Sequence, residues 1–320
     1  MNNNAKVSII IPTYNYGFCI EQSIRSVIRQ THQDFEVIVV DDGSNDDTQQ
    51  VVQSIEDRRI KYIYQQNQGA NVARNRGFYE ACGDYIIFLD SDDMLAANHL
   101  EEYLGVANSN LTANIYGPGK KGYLSNYGFQ VWYEMKRCPS EDLLENWITA
   151  NWWAFSCCIM WPKDNVIRAG GWDESLHANQ DGDIAMRALI EGTSFVYAEN
   201  APEALITMHN EKQSITSTKN IATLSSRYEV LKKIENFLKN KNMLNNKYNT
   251  ALALAFFSIA KNTLSSFPEF SDSCYKEFRR LYGYKKPPGS YMNWLGLSIL
   301  GLRKKQKLAD LVGRKIPWRF

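Results

Sequence analysis

Four short apolar runs alternate with helical patterns at the start of the chain, and that alternation restricts the fold more than any other feature. The runs are VSIIIPT from Val7 to Thr13, FEVIVVDD from Phe35, IKYIYQ from Ile60 and YIIFLD from Tyr85. Their Val, Ile, Phe and Tyr content favours strand. Their lack of polar alternation implies strands covered on both faces. Between them, Ile20, Ile24, Val27 and Ile28 recur at helical spacing, and Thr48, Val51, Val52 and Ile55 mark a second helix. A third helix is expected over Ala73 to Cys82, with Gly83 as its stop. Apolar strands separated by helices form parallel pairs with right-handed crossovers, so their C-terminal ends share one edge. Ligands of open α/β sheets bind at that edge.

The residues at those ends carry the chemistry. The first strand ends in Pro12-Thr13-Tyr14-Asn15, the second in Asp41-Asp42-Gly43-Ser44 and the fourth in Asp90-Ser91-Asp92-Asp93. A single Asp or Ser after a strand is an ordinary helix cap, and Ser44 with Asp47 is close to a capping box. Three carboxylates in four residues exceed that need. Neighbouring carboxylates raise each other's pKa unless a cation or donors compensate. Mg²⁺ and Mn²⁺ take one or two carboxylates plus substrate phosphates, so the edge suits a metal-bridged diphosphate. G-x-x-x-x-G-K-[ST] does not occur, which argues against a P-loop ATPase.

Further along, the pattern loosens from about Asn110 to Ala150, where Gly117, Pro118, Gly119 and Gly122 read as turn or loop. NWWAFSCCIMW from Asn151 is a strand candidate, and QDGDIAMRALIEG is a helix from Asp181. SFVYA and ALITMH read as closing strands, and the chain turns helical after about Ile215. Lys plus Arg number 36 against 35 Asp plus Glu, so no basic excess points to nucleic acid. The six cysteines form no C-x-x-C pair and read as scattered reduced thiols of a cytosolic protein. No signal peptide is expected in MNNNAKVSIII, and no apolar window is long enough to span a membrane.

VSIIIPTYN, VVDDGSNDDT, NQGANVARNRG, YIIFLDSDD, AGGWDE and QDGD occur in the order found in family 2 glycosyltransferases of GT-A fold, which this chain resembles from Val7 to Asp183. The resemblance implies a Rossmann-like, mostly parallel α/β sheet flanked by helices. It also implies an inverting hexosyltransferase that uses a nucleotide-diphosphate sugar, with UDP as the family's commonest nucleotide, and Mn²⁺ or Mg²⁺. On it, Pro12 and Tyr14 form the nucleobase wall, with Tyr14 either stacking on the base or covering the core at the strand end, and Thr13 and Asn15 belong to the nucleotide-sugar site. Asp42 accepts the base N–H, while Asp41 is structural. Gly69 allows close approach, and Arg74 either reaches ribose or phosphate or is a solvated helix residue. Asp90, with Ser91 beside it, faces the ribose hydroxyls, and Asp92 ligates the metal. Asp93 supports the site from behind or caps the next helix.

Asp181 occupies the family's base position, although alone it would pass for a helix cap. An aspartate near its ordinary pKa is ionised at neutral pH and can accept the acceptor's proton. Relatives often carry Glu-Asp where this chain has Gln180-Asp181, which bears on acceptor binding rather than on the base. Trp172 is placed to stack on an acceptor ring and Asp173 to bind its hydroxyls. Trp152 and Trp153 either extend that wall or belong to the core. His209 either completes the metal site or is an ordinary histidine.

These readings divide the chain into a catalytic domain over 1–215 and a helical region over 216–320. The catalytic domain has a nucleotide-sugar half to about 110 and an acceptor half over about 111–215. From Pro287 onward seven Lys or Arg face one acid, Asp310, a net +6 in a chain whose total is +1. With Leu297, Leu300, Leu308 and Leu311 on one face and Trp294 and Trp318 near the ends, the tail is expected to bind a membrane surface. The expected place is the cytoplasm, peripheral to the plasma membrane, and the expected acceptor is a saccharide or lipid-linked saccharide in cell-surface polysaccharide or glycoconjugate synthesis. Two other classes share these features: a catalytically silent GT-A scaffold, and a metal-dependent nucleotidyltransferase, which would release pyrophosphate instead of a nucleoside diphosphate.

Overall fold

A computed structural model describes residues 6–125, 128–209, 221–283 and 302. The chain divides into two compact units, Met1–Leu143 with Trp152–Thr218, and Leu144–Asn151 with Lys219–Phe320. The basic tail expected from Pro287, apart from residue 302, and the boundary expected near Ile215 lie outside the described residues.

The first unit opens with β1 (Val7–Thr13), α1 (Gly17–Ile28), β2 (Phe35–Asp41), α2 (Thr48–Gln53), β3 (Ile60–Tyr64), α3 (Ala70–Glu80) and β4 (Tyr85–Phe88). It continues with α4 (His99–Ala107), β5 (Asn114–Tyr116), β6 (Gly119–Ser125) and β7 (Gly128–Met135). After α5 (Leu143–Thr149), which apart from Leu143 belongs to the second unit, come β8 (Ile159–Pro162), α6 (Lys163–Arg168), α7 (Gln180–Ile190), β9 (Phe195–Tyr197) and β10 (Ala204–Thr207).

Seven strands form the main sheet in the order β3-β2-β1-β4-β8-β5-β9. All pair in parallel except β8, which runs against both β4 and β5. Every residue of β1 is buried, as a central strand between two covered faces requires. Pro12 is tolerated there because the β4 ladder stops opposite Ile10. The amide of Asp42 donates to Thr13 O, and that of Leu89 to Ile10 O, so the three strand ends meet at one edge.

Three expectations need correction. Helix α3 starts at Ala70 and ends at Glu80, so Gly83 is not its stop. A Cβ at Gly83 would meet Ser8 N at 2.7 Å, so the glycine serves close packing against β1. The stretch read as a glycine-rich loop is a hairpin, β6–β7, joined by β10 into a second, three-stranded sheet. Its glycines also serve close packing: a Cβ at Gly119 would meet Cys158 Sγ at 2.6 Å, and one at Gly122 would run into Gln130 O across the ladder. In NWWAFSCCIMW only Ile159 onward is strand, because Ser156–Cys158 forms a turn of 3₁₀ helix.

The second unit contains α8 (Ile221–Asn240), α9 (Asn246–Thr263) and α10 (Pro268–Tyr282). Glu235 on α8 is 1% exposed, and the guanidinium of Arg280 on α10 holds its carboxylate below the usual range against the cost of burial. No helix among the described residues is long and apolar enough to cross a membrane.

Candidate active site

The site is built at the C-terminal edge of β1, β2 and β4. Polar side chains, not an apolar stripe, hold its loops in register. Asp42 shows the principle. Its Oδ1 accepts from Gln65 Nε2 at 2.8 Å and Gln68 N at 2.9 Å, and its Oδ2 from Gly69 N at 2.7 Å. One buried carboxylate thus shapes the loop that enters α3. Asp41 is structural, as expected, with Ser44 N and Tyr62 OH donating to it. Gly69 has φ +100°, and a Cβ there would meet nothing within 4 Å, which leaves that approach open. Pro12 and Thr13 are buried, whereas Tyr14 and Asn15 are exposed at the rim. Asn15 is locked there by its own amide donating to Ser44 Oγ and by Asn45 N donating to its Oδ1.

The DSDD loop divides its labour. Asp90 is 41% exposed at its side chain and accepts from Arg74 Nη2 at 2.7 Å. Ser91 is buried, and its carbonyl accepts from Ser23 Oγ on α1. Asp92 faces His209, whose Nε2 lies 3.1 Å from Asp92 Oδ2. Asp93 caps no helix, because α4 begins after Asn98. Instead its Oδ1 accepts from Thr207 N and its Oδ2 from Cys157 Sγ. Burial, helped by Cys157 and the neighbouring carboxylates, holds the Asp93 carboxyl well above its ordinary range. Met94 and Leu205 exchange backbone hydrogen bonds beside it. These ties to β10 bring His209 to Asp92.

His209 Nε2 is buried and has no hydrogen-bond partner. Tyr16 and Phe18 close on the ring edge-on at 6.1 and 5.5 Å. Sequence reasoning passed over both aromatics; the second aromatic of TYNYGF was the available signal. An imidazole nitrogen 3.1 Å from a carboxylate oxygen, with no well-formed hydrogen bond between them, is a donor set that suits a divalent cation. No group of three or more such ligands is assembled among the described residues. A cation there would complete its shell with phosphate oxygens or water.

Arg74, expected to point toward ribose or phosphate or to be solvated, is 6% exposed. Its Nη1 donates to Asn71 Oδ1 and Gln180 Oε1, and its Nη2 to Asp90. The guanidinium lies 4.6 Å over the ring of Trp172. Trp172 is therefore not an acceptor platform. It is 4% exposed, and its ring packs edge-on against Phe88 at 5.0 Å. Gly170 and Gly171, with φ +79° and +68°, make the turn that tucks it inward. Asn75 then clamps its backbone, accepting from Trp172 N and donating to Trp172 O, each at 2.9 Å. Asp173 stays nearer the surface, where its Oδ1 accepts from Ser175 N and Oγ. Trp152 is a core residue that donates to Lys136 O, whereas Trp153 is 39% exposed.

Helix α7 starts at Gln180, one residue before its expected start, and carries Asp181 in its first turn. Asp183 on the same helix is buried and paired with Arg187, which also donates to Ala169 O and Gly171 O. The Asp181 carboxyl does not sit at its ordinary value. Burial lifts it to about 6, Asp90 pushes the same way, and Arg74 and Lys121 oppose. Such a carboxyl is mostly ionised at pH 7 and more basic than an ordinary aspartate, which suits proton abstraction.

Comparison with known proteins identifies the family and the fold. The family model for glycosyl transferase family 2 matches residues 8–155. An uncharacterized glycosyltransferase of Rickettsia bellii is 48% identical over 99 residues, 31% of this chain but only 14% of that protein's length. WcaA of Escherichia coli K12, a glycosyl transferase provisionally assigned to colanic acid biosynthesis, is 30% identical over 231 residues, 68% of this chain and 78% of that protein. Among solved structures, Staphylococcus aureus TarS 1–349 in complex with UDP-GlcNAc superposes with a TM-score of 0.74 at 20% identity, covering 98% of this chain and 93% of that one. The shared fold is GT-A, and the chain belongs to glycosyl transferase family 2.

Proposed function

We propose that this protein transfers a sugar from a UDP-sugar to a saccharide or lipid-linked acceptor with inversion, and that Asp181 is the base. The observation that supports it best is one juxtaposition. Arg74 joins Asp90 of the DSDD loop to Gln180, so Asp181 stands beside the strand edge that carries the Asp92–His209 pair. UDP is chosen because the family uses it most often and because a neighbour of the same fold holds UDP-GlcNAc.

In this reading Tyr14 and Asn15 line the base, Asp42 shapes the loop around it, and Asp90 meets the ribose. Asp92 and His209 would hold Mn²⁺ or Mg²⁺. When bound, that ion supplies charge neutralisation for the departing diphosphate. Asp181 takes the proton of the acceptor hydroxyl as its oxygen bonds to the anomeric carbon and the bond from that carbon to the diphosphate oxygen breaks. The nucleoside diphosphate leaves with the electron pair. Arg74 fixes Asp90 and, through Gln180, the start of α7. Asp173 faces the acceptor. Work at the cytoplasmic membrane face on a cell-surface polysaccharide is part of the same proposal.

The test is incubation of a UDP-sugar panel with Mn²⁺ and measurement of the phosphate product. UDP release supports sugar transfer. Pyrophosphate release identifies a nucleotidyltransferase, and neither product with no nucleotide binding identifies a silent scaffold.

A further inference from the structure

The second sheet presents a feature that the donor chemistry does not use. Tyr133 on β7 stacks on Trp153 with ring centroids 5.7 Å apart and planes 7° from parallel. Trp153 is 39% exposed, and the neighbouring Trp132 is 69% exposed. Trp132, Tyr133 and Trp153 touch in turn, and a contiguous exposed aromatic patch of this kind marks a candidate binding surface.

The pair is connected to the reaction centre. Phe155 meets Tyr133 edge-on at 6.2 Å. Lys121 on β6, paired with Tyr133 across the ladder, places its Nζ 5.7 Å from the Phe155 ring. The same Lys121 ammonium acts on the Asp181 carboxyl. Phe155 also lies two residues before Cys157, whose Sγ donates to Asp93 Oδ2, so the stacked pair stands on the segment that meets the DSDD loop. Gly119 lets this sheet lie close, since a Cβ there would meet Phe155 as well as Cys158.

We propose that Tyr133 and Trp153 form the acceptor-sugar subsite, on which a pyranose ring stacks while its hydroxyl faces Asp181. This rests on the glycosyl-transfer reading above. A pyranose has one face of C–H bonds, which is attracted to the negative face of an aromatic ring, whereas its hydroxyls need polar groups at the edge. Lys121 supplies a donor at that edge. A rigid stacked pair also loses little conformational freedom on binding. Trp172, which sequence reasoning placed in this role, is buried, and Trp153 takes its place.

The test uses wild type, Trp153→Ala, Trp153→Phe and Tyr133→Ala, with Mn²⁺ and whichever of UDP-glucose, UDP-galactose and UDP-GlcNAc the wild type hydrolyses fastest. Para-nitrophenyl hexosides and N-acetylhexosaminides serve as acceptors. Trp153→Ala is expected to raise acceptor KM about tenfold or more, to keep UDP affinity within about twofold and to leave acceptor-free donor hydrolysis unchanged. Trp153→Phe is expected to recover most of the loss. Unchanged acceptor KM in both alanine variants overturns the subsite, as does a parallel loss of UDP affinity. Donor hydrolysis by wild type with no transfer to any hexoside also overturns it while leaving the transferase reading standing. A wild type that neither binds UDP nor hydrolyses a donor overturns both.

Discussion

His209 Nε2 lies 3.1 Å from Asp92 Oδ2, where Asp93 and Met94 tie the DSDD loop to Thr207 and Leu205 of β10. On the proposed reading this pair holds the cation. Asp92→Ala is expected to abolish the Mn²⁺-dependent part of UDP binding. His209→Ala, which removes a direct ligand, is expected to weaken it by at least the roughly 10–100-fold seen when groups that only orient metal ligands are removed. Calorimetric titration of UDP with and without Mn²⁺ checks both, and equal UDP affinity in wild type and Asp92→Ala would remove the ligand assignment.

Asp181→Asn keeps the shape of the α7 start and removes the proton acceptor. Turnover is expected to fall about 10²–10⁴-fold, the usual worth of a positioned base. UDP affinity is expected to stay within about twofold. Single-turnover transfer alongside UDP titration separates the two. Turnover near the wild-type rate would rule Asp181 out as the base.

The raised Asp181 carboxyl gives the pH dependence a sign. Burial lifts its pKa to about 6, so it is protonated and inactive as a base below that value and ionised above it. The kcat/KM for transfer is therefore expected to fall about tenfold per unit as pH drops below about 6, with a plateau above about 7. An acid limb centred near 4, the ordinary aspartate range, would contradict the geometry around Asp181.

The parts legible in the sequence were those whose signal is local. β1, β2 and β4 are continuous apolar strands, and the acidic ends of β2 and β4 stand out because burial does not explain them. The hairpin β6–β7 was not legible, since Gly119 and Gly122 are glycines for close packing yet look like turn residues. Trp172 misled for a similar reason. GGWDE reads as an exposed loop, but two positive-φ glycines turn the ring inward beneath Arg74. Arg74 itself lies on a helix with no apolar stripe, so only the tertiary contacts with Asp90 and Gln180 reveal it as buried. The pairing of Asp92 with His209 depends on β10 reaching the DSDD loop, a long-range contact that no local pattern encodes.

Arg74 offers a direct test of that buried junction. Arg74→Lys keeps the charge but cannot reach Asn71, Gln180 and Asp90 together, and it loses the planar stack on Trp172. Leaving one or two buried acceptors without donors costs about 1–3 kcal/mol. At about 2–4 °C per kcal/mol, Tm is expected to fall by several degrees. Turnover is expected to fall with it, because Gln180 and the neighbouring Asp181 lose their anchor. Differential scanning calorimetry and kinetics on one preparation check this, and an unchanged Tm would mean that the guanidinium network contributes nothing.

Asn75 tests whether α3 holds the loop that presents Asp173. Its side chain satisfies both the N–H and the C=O of Trp172 and donates to Glu174 Oε1. Asn75→Ala leaves two buried backbone groups without partners, at a cost of about 2–4 kcal/mol. Asn75→Asp keeps the acceptor for Trp172 N–H but loses the donor to Trp172 O and sets a carboxylate against Glu174. Both variants are expected to lower Tm. Both are also expected to raise acceptor KM while UDP affinity stays within about twofold, because the clamp acts on the GGWDE loop and not on the DSDD loop. Thermal unfolding, UDP titration and acceptor kinetics together decide it. A loss of UDP affinity equal to the loss in acceptor KM would show that the two loops move as one unit.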